Sequence, residues 1–308
     1  MNSIHYIVLG AKTPTARQYL GQLADRGIKA ENITAIDMKP STMSYGENDV
    51  IPVFETGAYK NNLNKKSALV VLAESKTTFI DIADTHLDDD HRVLDLTGHF
   101  IDDPDAVYAP ATGKLMIQPS PTARMIDQIV GRLPKSPQSM HVELLLPTSY
   151  FGKDAMDELF NQVKQFLMTD DLDNSVFDKK IAFNVLPVAG HVTDNGDSIE
   201  EHRIQTELSK LCDKIEQITV STSVVPVFTG LSAHLTFDFG DKAPSPSEIN
   251  KVMRSDTSIR LISPDSDMQY GTPAEIIGDT LINVSRVRRD ARHNNVASLW
   301  AMIDHTKF

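Results

Sequence analysis

The chain has 308 residues, 41% hydrophobic and 23% charged, with a formal net charge of -12 and a single cysteine, Cys212. That length supports two domains with real cores, and the acidic balance excludes nucleic acid or an anionic membrane as the main partner, because both would repel it. A lone cysteine excludes an internal disulfide and a cysteine-based metal site, so no metal and a reducing compartment are expected. The N-terminal MNSIHYIVLGA lacks the basic flank and apolar length of a signal peptide, and no later stretch approaches a membrane span; a cytoplasmic protein is expected.

Residues 5–10 (HYIVLG) predict a buried strand, and Thr13 as cap with Pro14 at the first helical position predicts a helix over 15–24. A second strand at 32–37 completes a βαβ unit. Residues 39–66 are polar and predict loops around a short strand at 50–53. Strand at 68–72, helix at 77–85 and strand at 92–96 continue the alternation, which predicts a parallel sheet with helices on both faces. Residues 114–117 predict a strand that turns through Gln118, Pro119, Ser120, Pro121 and Thr122 into a helix over 123–130, with Met125, Ile126 and Ile129 on one face and Thr122 as cap. Such a turn is a usual seat for a nucleophile, since the helix N-terminus favours an anion or a thiolate. Pro121, the residue best placed to use that field, has neither a proton nor a lone pair to offer.

Beyond residues 134–137 the pattern changes. Strand is expected at 141–146. A helix over 154–168 follows, its Met156, Leu159, Phe160, Val163, Phe166 and Leu167 reading as one core stripe. A second helix covers 198–215, and strands rich in Val, Thr and Ile cover 218–228, 233–239, 280–289 and 298–303. These imply a mixed sheet covered by two helices and a division into domains at 1–130 and 131–308. There are no internal repeats.

Seven stretches in order carry a resemblance: Gly10-Ala11; Asp95-Leu96-Thr97-Gly98 with Asp102-Asp103-Pro104-Asp105; Ser149-Tyr150-Phe151-Gly152-Lys153; Ile181 through Pro187; Glu200-Glu201; Val225 through Gly230; and Val287-Arg288-Arg289-Asp290 before Leu299-Trp300. Together they resemble the aspartate-semialdehyde dehydrogenase family, and FDKKIAFN at 177–184 is similar to its Usg-like paralogues. The resemblance implies an α/β fold, with a Rossmann-like NAD(P)-binding-type domain and an α+β dimerisation domain built on a mixed sheet. It also implies a homodimer formed through that sheet. The family chemistry it implies is attack of a cysteine thiolate on an aldehyde, hydride transfer to NADP, a thioester broken by phosphate, and a histidine acid–base.

Position by position, the groups for that chemistry are replaced. The family Asn-Cys falls on Ser120-Pro121, and Gly-His-Ser falls on Gly230-Leu231-Ser232. The glutamine falls on Leu146, the phosphate-binding arginine on Ile101, and the substrate-carboxylate arginine on Val224. Glu200 and Arg203 keep the spacing that in the family contacts substrate amine and phosphate, the alternative being an i,i+3 pair on an exposed helix. Glu200, Arg203 and Ser120 are thus the substrate-like candidates. His202 and His234 are candidate replacement bases, against the commoner surface or core histidine. Cys212 reads as a buried structural thiol.

Of the glycine-rich cofactor turn only Gly10 remains, followed by Thr13, Pro14 and Thr15. Thr13 adds a Cβ and Pro14 removes a donor, and Glu74 would add a negative charge nearby. The chain stops at Phe308, where family members are expected to continue into a helix that helps close the cofactor site. Gly10, Thr13 and Thr15 remain the cofactor candidates, and the loop disfavours the NADP that the resemblance implies. A non-catalytic paralogue that binds a small anionic metabolite or a protein partner is therefore expected. The alternative is an oxidoreductase with non-covalent chemistry, using His202 or His234.

Overall fold

The computed structural model describes residues 4–57, 68–88, 91–109, 111–168, 174–265 and 268–308. They fall into two compact units, Met1–Pro119 and Ser120–Phe308.

In the first unit, β1 (His5–Leu9) leads through α1 (Pro14–Asp25) to β2 (Ile33–Asp37), and β3 (Ser41–Tyr45) and β4 (Asp49–Glu55) form a hairpin. Next come β5 (Ala68–Leu72), α2 (Thr77–Asp88), β6 (Arg92–Asp95), β7 (Val107–Tyr108) and β8 (Leu115–Ile117). One sheet results, in the order β3-β4-β2-β1-β5-β6-β8-β7, with only β3 antiparallel to its neighbour. The central strands β1, β2 and β5 are buried on both faces, as a sheet covered on both sides requires. Ile7, Leu9, Val70 and Leu72 pack with Phe79 and Ala83 of α2. Val8, Ala35 and Val71 turn the other way, onto Leu20 and Leu23 of α1.

The expected loops over 39–66 need correction, because β3 is a strand. It is a polar edge strand whose one buried residue, Tyr45, donates its hydroxyl to the Ile28 carbonyl at 2.8 Å, so apolar periodicity does not reveal it. The 58–66 portion of that reading lies outside the described residues.

The second unit begins with α3 (Pro121–Val130), β9 (Ser139–Leu146), α4 (Lys153–Met168) and α5 (Ile199–Leu211). It continues through β10 (Gln217–Val224), β11 (Leu231–Asp238), α6 (Pro246–Arg254), β12 (Ile259–Leu261), β13 (Ile282–Arg289) and β14 (Val296–Ile303). The strands make a mixed sheet in the order β10-β9-β11-β14-β13-β12, parallel at β10/β9 and β12/β13 and antiparallel elsewhere. Val142, Leu144, Leu146, Leu235 and Phe237 on one sheet face share a core with Met125, Ile126, Leu159, Ile204 and Leu208 from the helices. The other face exposes His141, Glu143, Thr219 and Ser221. Neither α6 nor β12 was expected from periodicity. Ser245 with Glu248 forms a capping box and Pro246 opens the helix, a start signal that was present in the sequence.

The stripe on α4 also needs correction. Phe160, Phe166 and Leu167 are exposed, and the buried face is Ala155, Glu158, Leu159 and Gln162. The polar pair is inside because it holds a loop. Glu158 accepts from the Ser175 and Val176 N–H groups, and the Gln162 carbonyl accepts from the Ile181 and Ala182 N–H groups at 2.9 and 3.0 Å. Without those acceptors several backbone donors would be buried unpaired.

Candidate functional site

The turn between β8 and α3 has the geometry its sequence implies, with one change of role. Ser120, not Thr122, is the N-cap: its Oγ accepts from the Ala123 N–H at 3.1 Å, and Pro121 occupies the first helical position. Pro121 fits there because its fixed φ suits a helix start and the N–H it lacks would have no partner within the helix. Thr122 is instead buried in the first turn.

Ser120 is also tied to α5. Its hydroxyl donates to the Glu207 carboxylate, which also accepts the Ser120 N–H at 3.3 Å. On the same face of α5, one turn earlier, Arg203 lies 3.6 Å from Glu207. The Arg203 guanidinium donates to Glu200 through Nε at 3.1 Å and Nη2 at 2.6 Å, and Nη2 reaches the Tyr150 hydroxyl at 2.8 Å. That hydroxyl in turn donates to Glu200.

The structure thus brings Ser120, Glu200 and Arg203 together and adds Tyr150 and Glu207. Glu200 and Arg203 do form an i,i+3 pair, but within a network that shields them, not on a fully exposed helix face. Glu207 follows Glu200 by seven residues and Arg203 by four, a spacing that puts all three on one helical face and was visible in the sequence.

The network accounts for its own charge. Burial pushes the Glu207 carboxyl above the usual carboxylate range, against the lowering effect of Arg203 and of the bonds from Ser120. Burial likewise pushes the Tyr150 hydroxyl up, the nearby Glu200 adding to the shift and Arg203 opposing it. Arg203 is held between two carboxylates, so its charge is already used within the protein and the pair offers no free cation to an anionic ligand.

Three of the positions where the resemblance expects functional groups are part of the hydrophobic core. Leu146, Val224 and Leu231 are each at most 1% exposed and belong to one apolar cluster. Gly230, ahead of Leu231, has φ of +99°, and the Pro273 carbonyl oxygen lies 2.8 Å from where a Cβ would stand, so only glycine fits. His202 is exposed on α5. His234, on β11, meets Arg288 at 3.1 Å; burial, with Arg288 assisting, lowers its pKa. Neither histidine shares a hydrogen bond with the Ser120 network among the described residues. Cys212 is buried beside Asp127, its thiol pushed up to about 12 by burial and then by Asp127, which makes it a poor nucleophile.

In the first unit, the loop from Gly10 to Pro14 is closed on itself. The Gly10 and Ala11 N–H groups both donate to the Ile36 carbonyl at 3.0 Å, that of Lys12 to the Asp37 carboxylate at 2.9 Å, and that of Thr13 to the Gly10 carbonyl at 3.0 Å. The Thr13 side chain caps α1, Pro14 has no N–H, and Thr15 is exposed in the first helical turn. A Cβ on Gly10 would stand 2.6 Å from that of Glu74, which keeps a carboxylate beside the loop. Ile101 is buried. The N–H groups of Gly10, Ala11, Lys12, Thr13 and Ala16 are already taken and Pro14 has none, so little of a cradle for a dinucleotide pyrophosphate is left and these residues do not fit that group.

Comparison with known proteins agrees with this architecture. Residues 130–307 match the family model for the semialdehyde dehydrogenase dimerisation domain. The aspartate-semialdehyde dehydrogenase of Rickettsia conorii is 33% identical over 156 residues, covering 51% of this chain and 46% of that protein. A USG-1 protein homologue of Pseudomonas aeruginosa is 27% identical over 175 residues, covering 55% of this chain and 50% of that protein. The chain therefore spans about half the length of the curated relatives it matches. In overall fold it is similar to aspartate semialdehyde dehydrogenase II of Vibrio cholerae, with a TM-score of 0.86 at 17% identity, over 100% of this chain and 94% of that one. With the dimerisation-domain match covering more than half its length, the chain belongs to the aspartate-semialdehyde dehydrogenase family, and a USG-1 homologue is among its relatives.

Proposed function

We propose that this chain is a non-catalytic, homodimeric member of its family that binds a small metabolite or a protein partner. The observation that carries the reading is the Ser120 turn. Where the family resemblance places a thiolate, Pro121 begins a helix and the neighbouring Ser120 hydroxyl is committed to Glu207. Cys212 does not take its place, because it is buried with its thiol proton held tightly. Loss of a nucleophile or its base each costs on the order of 10⁴ to 10⁶ in rate, so a thioester route has nothing to run on.

Three measurements test the reading. An assay with aspartate semialdehyde, phosphate and NADP is expected to give no turnover, and thermal-shift and calorimetric titrations with NADPH, NADP and NAD no saturable binding. Hydride transfer or micromolar cofactor binding would overturn it in favour of an oxidoreductase with altered chemistry. The dimer is expected to use the uncovered sheet face around Glu143 and Thr219, and sedimentation that finds only monomers would remove that part.

A further inference from the structure

The second unit contains a cavity of about 370 Å³ lined mainly by Phe151, Phe177, Leu186, Val188, Val192 and Val224. Its floor is rigid. Leu186 and Val224 form an antiparallel bridge, their N–H groups donating to each other's carbonyls at 3.0 and 2.8 Å. Val224 is 1% exposed, and it is the position where the resemblance expects an arginine for a substrate carboxylate. One wall is the edge-to-face pair of Phe151 and Phe177, with ring centroids 5.3 Å apart. The loop carrying Val176 and Phe177 is held by the buried Glu158. Val192 is exposed at the mouth, where Lys179 and His191 also line the opening beside Asp178. Lys179 has no carboxylate partner within 4 Å among the described residues.

A preformed apolar cavity with a few polar groups at one end is the usual form of a small-molecule site, and this volume lies within the range such sites occupy. From the apolar floor and the Lys179 ammonium at the rim we infer that the cavity binds a medium-chain carboxylate. The hydrocarbon tail lies between Phe151, Phe177 and Val188 above the Leu186–Val224 floor, and the head group faces Lys179. This rests on the reading that the second unit binds a ligand without transforming it.

The test is a calorimetric titration of the whole protein with hexanoate, octanoate, decanoate and octanol, run beside the dehydrogenase assay. Affinity is expected to rise about fourfold per added methylene until the cavity is full, the value for burying one such group. Octanol is expected to bind about tenfold more weakly than octanoate, as loss of one charge-assisted contact implies. Lys179→Gln should close most of that gap, and Val192→Lys, at an exposed position, should abolish the chain-length series while circular dichroism shows an intact fold. The inference falls if no carboxylate binds, if affinity ignores chain length, or if Lys179→Gln leaves the acid-to-alcohol ratio unchanged. It also falls if carboxylates do not bind and Val192→Lys breaks self-association, which would make the cavity a seat for a second copy. Turnover in the parallel assay would overturn the non-catalytic reading separately, whatever the titration gives.

Discussion

Two turns in this molecule share one design and close it in different ways. At Thr13-Pro14 and again at Ser120-Pro121, a strand turns into a helix through a hydroxyl cap followed by proline at the first helical position. In the first unit the loop is satisfied by Gly10 and by Ile36 and Asp37 of the adjacent strand β2, within the same βαβ unit. In the second, Ser120 is satisfied by Glu207, 87 residues further along the chain, and Glu207 belongs to a network with Arg203, Glu200 and Tyr150. Helix starts of this kind are ready sites for an anion, and each has been filled by the protein itself. The local closure disturbs little when broken, whereas the distant one ties α3 to α5 and must carry more of the stability.

The largest effect that would break this comparison is at Glu207. Glu207→Ala leaves Arg203 paired with Glu200 but takes the acceptor from both the Ser120 hydroxyl and the Ser120 N–H, and should cost about 2–4 kcal/mol in urea unfolding, from two buried donors left unpaired. A loss below about 1 kcal/mol would mean the network is incidental.

Glu207 should also shape the response to pH. Its pKa is raised in the folded state, so the folded protein holds that proton more tightly than the unfolded chain does. Its contribution to stability is therefore greatest below the ordinary carboxylate range, and it declines as pH rises through the interval up to the raised value. Glu207→Gln should flatten that decline in unfolding curves measured across the interval, and an unchanged slope would place the titration elsewhere.

The two caps sharpen the contrast directly. Ser120→Ala removes a cap and an occupant of Glu207 together, for an expected loss of about 1–3 kcal/mol. Thr13→Ala removes a cap and a hydroxyl that donates to the Gly10 carbonyl at 2.8 Å, but no charged partner, at about 1 kcal/mol. Equal losses would show that the link to α5 adds nothing to the turn.

What could be read from the sequence divides along the same line. Much that is decided within a few residues was legible, namely the βαβ start with Thr13 and Pro14, a helix after the Ser120 turn though with Thr122 taken as its cap, and the strands of a mixed sheet in the second unit, whereas the equally local capping box of α6 was missed. Glu200 and Arg203 were legible as a pair. Their joining to Tyr150, more than 50 residues earlier in the chain, was not, because a hydrogen bond across the fold leaves no trace in sequence spacing. The polar edge strand β3 was missed for a related reason, since its stability comes from pairing with β4 and not from an apolar face.

The α4 helix gives the smallest expected effect. Its sequence favours a core built on Phe160 and Phe166, yet the buried side carries Glu158 and Gln162. If burial follows backbone satisfaction and not apolar periodicity, the usual rule for helix substitutions reverses here. Gln162→Leu, which makes the buried face more apolar, should destabilise the protein by about 1–3 kcal/mol, because the Ile181 and Ala182 N–H groups lose their acceptor. Phe166→Ser makes the stripe less apolar and should change stability by no more than about 0.5 kcal/mol, because Phe166 is 57% exposed and its ring neighbour, Phe183 at 4.9 Å, is similarly exposed. A large loss at Phe166 without one at Gln162 would place the core side of α4 where periodicity puts it. A null result at Phe166 beside a clear loss at Gln162 would show that this helix is positioned by the loop it satisfies.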